Sequence, residues 1–154
     1  MKMLVCTDGS EHSQKALEKA VEVASGCHPQ EVAIIHVYDG RLDLSATSWG
    51  SRDYALTEED IKRIKRINEE EKEKRRQLLE NAVNYMKEKN IEARSIFVEG
   101  HPSHVIVERA VKEGFDLIVI GSRGLGGLKK ILLGSVSNTV VQEAKDCSVM
   151  IVKP

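Results

Sequence analysis

An unbroken apolar run, Leu117-Ile118-Val119-Ile120, is bounded by Asp116 and Gly121 and leads into the segment GSRGLGGLKKILLGS. A strand that is apolar at every position has no face to give to water, so it belongs inside a parallel sheet with helices on both sides. The rest of the chain has the matching rhythm of apolar runs alternating with helical patterns. Strands are predicted at about Lys2–Thr7, Glu31–Val37, Glu92–Val98, Asp116–Gly121 and Ser148–Val152. Between the first two, Ser10 can cap a helix whose apolar face is Ala16, Leu17, Ala20, Val21 and Ala24, ending near Ser25-Gly26. Pro102-Ser103 opens another helix that runs to Gly114, and a last one follows Ser135.

The middle of the chain is less regular. Arg41 to Ala55, with Trp49, has little periodicity and reads as a loop. Thr57-Glu58-Glu59-Asp60 then starts a highly charged helical stretch to about Lys89. Its first half carries only Ile61, Ile64 and Ile67 as an apolar edge, whereas Leu78, Leu79, Ala82, Val83 and Met86 supply a face that can cover the sheet.

A chain of 154 residues fits one domain, 1–154, with a loop and helix insertion at about 40–76. Such a domain buries roughly 70% of its unfolded surface. Charged residues are 31% of the chain but the formal net charge is only -1, so no field draws in nucleic acid or an anionic membrane. Cys6, Cys27 and Cys147 are odd in number and widely spaced, which argues against a disulfide framework and fits a reducing cytoplasm. No segment approaches the run of about 18 apolar residues that a membrane span needs.

Gly121, Gly124, Gly134 and Ser135 stand in the spacing Gly-x2-Gly-x9-Gly-Ser. A glycine-rich turn at the carboxyl end of a buried strand, followed by a Gly-Ser pair opening a helix, gathers free backbone N–H groups around one small volume suited to phosphate. Glycine there allows a tight turn and a close approach to a ligand without a Cβ in the way. Walker A spacing fails because Gly127-Leu128 stand where Lys-Ser/Thr is needed, and the dinucleotide fingerprint fails because Lys129 follows Gly124-x-Gly126. Arg123, Lys129 and Lys130 lie within the signature and either balance phosphate charge or are simply solvated.

With the closing strand Ser148–Val152, the amino-terminal Met3-Leu4-Val5-Cys6-Thr7-Asp8-Gly9-Ser10 and Ile35-His36-Val37-Tyr38, this signature resembles the ATP-binding branch of the universal stress protein family over nearly the whole chain. The resemblance implies an open five-stranded parallel sheet of order 3-2-1-4-5 with helices on both faces, a Rossmann-like, adenine nucleotide alpha hydrolase-like α/β fold. It implies a nucleotide site built from Thr7, Asp8, Val37, Gly100, Gly121, Arg123, Gly124, Gly134, Ser135 and Val136, holding ATP with Mg²⁺. By the same resemblance, the Val37 backbone recognises the adenine edge and Gly100-His101-Pro102 closes over the nucleoside.

In that order the first and fourth strands are neighbours where the winding reverses, so Asp8 and the Gly121 turn face each other across the crevice. Asp8 then reaches ribose or, indirectly, Mg²⁺; its alternative is a turn aspartate bonded to its own Gly9-Ser10 backbone. His101 and His104 form a His-x-x-His pair without an evident third ligand and read as a loop residue and a helix-surface residue. The apolar last strand leaves a pairable sheet edge, and the resemblance implies a homodimer through it. The implied role is a nucleotide-dependent signalling or stress-response module in the cytoplasm. The alternative is a slow Mg-dependent ATPase or phosphotransferase using the same pocket, for which only Asp8, His101 and Arg123 are candidates.

Overall fold

The computed structural model describes residues 1–40, 57–125 and 133–153. In chain order the elements are β1 (Lys2–Cys6), α1 (Glu11–Cys27), β2 (Glu31–Tyr38), α2 (Glu58–Glu88), β3 (Arg94–Glu99), α3 (Pro102–Glu113), β4 (Leu117–Gly121), α4 (Ser135–Glu143) and β5 (Ser148–Val152). The strands form one sheet, β3-β2-β1-β4-β5, with every neighbouring pair parallel. The winding reverses between β1 and β4, where Leu4 lies beside Ile118 and Val5 beside Val119. The loop expected at Arg41–Ala55, with Trp49, lies outside the described residues, as do Lys129 and Lys130.

Alternation along the strands divides the core into two layers. Met3, Val5, Ile34 and Val119 point to the side of α1 and α2, while Leu4, Cys6, Ile35, Ile118 and Ile120 point to that of α3 and α4. The β4 residues are buried at every position, as its uninterrupted apolar run requires.

Local chemistry sets the helix ends. The Ser10 hydroxyl accepts from the Ser13 N–H to cap α1, which continues past Ser25-Gly26 to Cys27 and stops on a left-handed His28. Pro29 supplies the reason: it disfavours helical geometry at the residue before it. Gly114, at φ 67°, closes α3 in the same left-handed way. Thr57 and Asp60 cap α2 reciprocally. β3 begins at Arg94, later than Glu92, because the Ile91 N–H is still bonded to the Met86 carbonyl and closes α2. β2 runs on to Tyr38, whose carbonyl accepts from the Gly100 N–H.

At 31 residues α2 is about 46 Å long, far longer than a strand of six residues at roughly 20 Å. Leu79, Ala82 and Met86 bury its second half. Asn68 meets the Tyr38 hydroxyl and Lys72 pairs with Glu99 at 2.8 Å, both at the carboxyl ends of strands. The turns before Asn68 therefore project past the sheet, with Ile61 and Ile67 exposed.

Candidate functional site

At the β1–β4 junction the chains after the two strands diverge and leave a cleft of about 550 Å³. That is within the range of small-molecule sites. Thr7, Asp8, Val37, Gly121, Arg123, Gly124, Gly134, Ser135 and Val136 all line it, so residues from β1, β2, β4 and α4 converge as the sequence predicts. Gly100 does not line it. Its φ of 149° sets the turn into α3, where a Cβ would lie 2.9 Å from Val105 Cγ2, and Pro102, two residues on, reaches the wall instead.

One wall is apolar, with Cys6, Ile35, Ile106 and Ile120, and the opposite rim is polar. Asp8 combines both roles open to it in the sequence. Its Oδ1 accepts the Ser10 N–H at 2.9 Å, as a turn aspartate does, and its Oδ2 crosses the cleft to accept the Leu125 N–H at 3.1 Å. Thr7 is fixed through its backbone, whose N–H donates to the Ile35 carbonyl and whose carbonyl accepts from His36 Nδ1 at 2.8 Å. Burial pushes the His36 pKa below its ordinary value. Burial also pushes the Cys6 thiol far up, so the sulfur lining the cleft stays protonated.

The glycines have reasons that spacing alone does not reveal. A Cβ on Gly121 would lie 2.6 Å from the His12 carbonyl carbon, so this glycine admits the first turn of α1 against β4. A Cβ on Gly124 would lie 2.5 Å from Asp8 Oδ2. A Cβ on Gly134 would lie 3.3 Å from Arg123 Cα, and the Gly134 N–H donates to the Ser122 carbonyl at 2.8 Å. Close approach of chain to chain, and not only of chain to ligand, thus accounts for the spaced set.

Ser135 opens α4 as its first helical residue, while Gly134 holds the capping position and no side chain caps the helix. The first N–H groups of α4 are therefore without a side-chain acceptor at the cleft rim. Arg123 lines the same cleft and is half-buried, and its Nε is fully buried without a hydrogen-bond partner among the described residues. An orphaned cationic donor next to an uncapped helix start is a strong anion environment. The sequence reading missed Ser13, Ser137 and Asn138, which also line the cleft. Ser137 and Asn138 sit three and four positions after Gly134, a helical spacing that would have placed them on its face.

The expected histidines stand apart from the cleft. His101 precedes α3 and bonds Ser103 at 3.0 Å, and His104 is exposed with Glu143 3.8 Å away. Among the described residues, Asp8 and Arg123 are the charged residues of the lining, and no three His, Cys, Asp or Glu side chains converge on a metal.

The family model described as the universal stress protein family matches residues 1–153. The chain belongs to this family. Universal stress protein YxiE of Bacillus subtilis is 42% identical over 152 residues, covering 99% of this chain and 98% of that one. Universal stress protein MJ0577 of Methanocaldococcus jannaschii is 32% identical over 160 residues, covering 99% and 94%. The solved structure of MJ0577 superposes with a TM-score of 0.74 at 30% identity, covering 99% of this chain and 95% of that one. A universal stress protein crystallised in complex with cAMP superposes with a TM-score of 0.64 at 25% identity, covering 99% and 96%. The five-stranded order seen here is that of the universal stress protein fold. No helix among the described residues of this universal stress protein is long and apolar enough to cross a membrane.

Proposed function

We propose that this universal stress protein binds an adenine nucleotide, ATP with Mg²⁺, in the β1–β4 cleft, and works as a nucleotide-dependent signalling or stress-response module. One observation carries the reading: Arg123, whose buried Nε has no hydrogen-bond partner among the described residues, and the uncapped start of α4 line the same cleft. Phosphate is the ligand chemistry that satisfies both. Arg123, Gly124, Ser135 and Val136 would hold the phosphates. The apolar wall and Val37 offer a surface for a base, and the relative crystallised with cAMP supports an adenine nucleotide. A cation accompanying the phosphates would meet Asp8, the carboxylate of the cleft, and Gly100 contributes through the turn that sets Pro102.

Binding without rapid turnover suits the arrangement. Among the described residues no histidine lines the cleft, and both oxygens of the Asp8 carboxylate already accept backbone N–H groups, so none of them is a positioned general base. The β5 edge, apolar along Val149-Met150-Ile151, supports a homodimer built by pairing two such edges.

Mass spectrometry of small molecules released from the undenatured protein, followed by calorimetric titration with Mg·ATP, tests the reading. An adenine nucleotide in the release and saturable heat on titration are expected. A folded chain that takes up no nucleotide refutes it. Steady, Mg-dependent phosphate release that is lost in Asp8→Ala would establish turnover instead.

A further inference from the structure

We infer that His12 and Ser122 form a positioning pair for this anion site, holding the crossover after β4 against the start of α4 without touching the ligand; the inference rests on the nucleotide reading above. Ser122 is 2% exposed and lies outside the cleft lining, yet it is bonded in three directions. Its N–H donates to the Val152 carbonyl at 2.7 Å, and its carbonyl accepts the Gly134 N–H at 2.8 Å. Its hydroxyl meets His12 Nδ1 at 2.9 Å. One residue thus ties the end of β5, the capping residue of α4 and the first turn of α1 together.

Arg123 and Gly124 follow directly on this anchor, and α4 hangs from the anchor's own carbonyl. A second tie runs parallel to it, from the Ser137 hydroxyl to the Gly121 carbonyl at 2.8 Å. His12 is brought close by the missing Cβ of Gly121, described above, and its ring then fixes the one bond of Ser122 that is not main chain. Losing the imidazole–hydroxyl bond frees that side of the crossover while the ladder to β5 persists. The separation between Arg123 Nε and the amides of α4 then becomes less defined. A polyphosphate must meet both sets of donors at once, whereas a nucleoside need not, so the effect falls on phosphate recognition.

Calorimetric titrations of the full chain with Mg·ATP and, separately, with adenosine provide the test, on wild type, His12→Ala, Ser122→Ala, the double variant and His12→Asn. Each alanine change is expected to weaken ATP by about threefold to tenfold, the worth of one hydrogen bond. The double variant should lose no more than either single one, because both remove the same bond. Adenosine affinity should be unchanged, and His12→Asn, whose amide reaches the place of Nδ1, should restore ATP binding. If an alanine variant does not fold, His12→Gln, with its amide one bond further out, takes its place and should behave as alanine does.

Losses that multiply in the double variant, an adenosine affinity that falls in step with ATP, or ATP binding that is indifferent to both residues would each overturn the pair. A wild-type chain that binds neither ligand would overturn the nucleotide reading and the pair with it.

Discussion

Gly121 and Gly124 are equivalent in the spaced signature, but the structure predicts that alanine at the two positions fails differently. At Gly121 the new Cβ would stand 2.6 Å from the His12 carbonyl carbon and 2.7 Å from its oxygen. That neighbour is main chain in the first turn of a helix, so α1 or β4 must shift as a body. Overpacking of this kind costs about 2–3 kcal/mol, which lowers Tm by roughly 5–10 °C in a domain of this size. At Gly124 the obstacle is the tip of a side chain: Asp8 Oδ2, 2.5 Å away, followed by its Cγ at 3.7 Å. Asp8 can rotate aside at the expense of its bond to the Leu125 N–H, a partly exposed interaction worth about 1 kcal/mol. Gly124→Ala should therefore lower Tm by only about 2–4 °C. Its Cβ and the displaced carboxylate enter the cleft, so nucleotide affinity should fall more than stability does. Differential scanning calorimetry of the ligand-free variants, paired with Mg·ATP titration, reads both quantities. Equal Tm losses at the two positions, or a larger loss at Gly124, would refute the assignment of the glycines to different neighbours.

Arg123→Ala should weaken ATP binding about tenfold or more through loss of a charge-assisted contact, while ligand-free Tm holds or rises because a buried, unpartnered Nε is removed; a fall in Tm with unchanged affinity would contradict it. In β5, the Ser148 N–H and the Val152 carbonyl bond back to the β4 side, so by alternation the Val149 N–H faces the free edge. Val149→Pro should leave the ladder to β4 intact and convert the proposed dimer to monomer in light scattering; an unchanged mass would place the dimer contact elsewhere. Acid should weaken the base of the sheet, where Arg109 and Arg94 lower the Glu113 pKa and Lys2 and Arg94 lower that of Glu31. Because these pKa values are depressed in the folded chain, their contribution is complete above the ordinary carboxylate value, about 4.3, and is lost as pH falls through the lower folded values. Tm measured against pH should therefore drop less steeply below pH ~4.5 in Glu113→Gln than in wild type.

The fold was legible because its strongest signals are local. Alternating apolar runs mark the strands, Ser10, Thr57 and Gly114 mark helix ends, and the family resemblance supplied the strand order that periodicity alone does not. Errors of one or two residues arose where a long-range bond decides an end, as when the Ile91 N–H stays with α2 and delays β3. The cleft was legible through Asp8 and the glycine set, but their reasons were not: nothing in the sequence says that His12 lies against Gly121, or that Asp8 touches Leu125. Gly100 entered through the family resemblance of Gly100-His101-Pro102; in the structure its main chain forms the turn before α3 and it does not line the cleft. Ser13 escaped because its orientation depends on how α1 is rotated about its axis, which tertiary packing sets, whereas Ser137 and Asn138 were readable from their spacing after Gly134.

The buried state of Cys6 carries a consequence for the conditions under which the cleft can work. Peroxides attack thiolates, and a sulfur held protonated within the apolar wall gives them nothing to attack. Cys27, by contrast, is exposed at the far end of α1 and can be oxidised without disturbing the β1–β4 junction. Peroxide is therefore expected to react more slowly at this cleft than at one lined by an ionised cysteine.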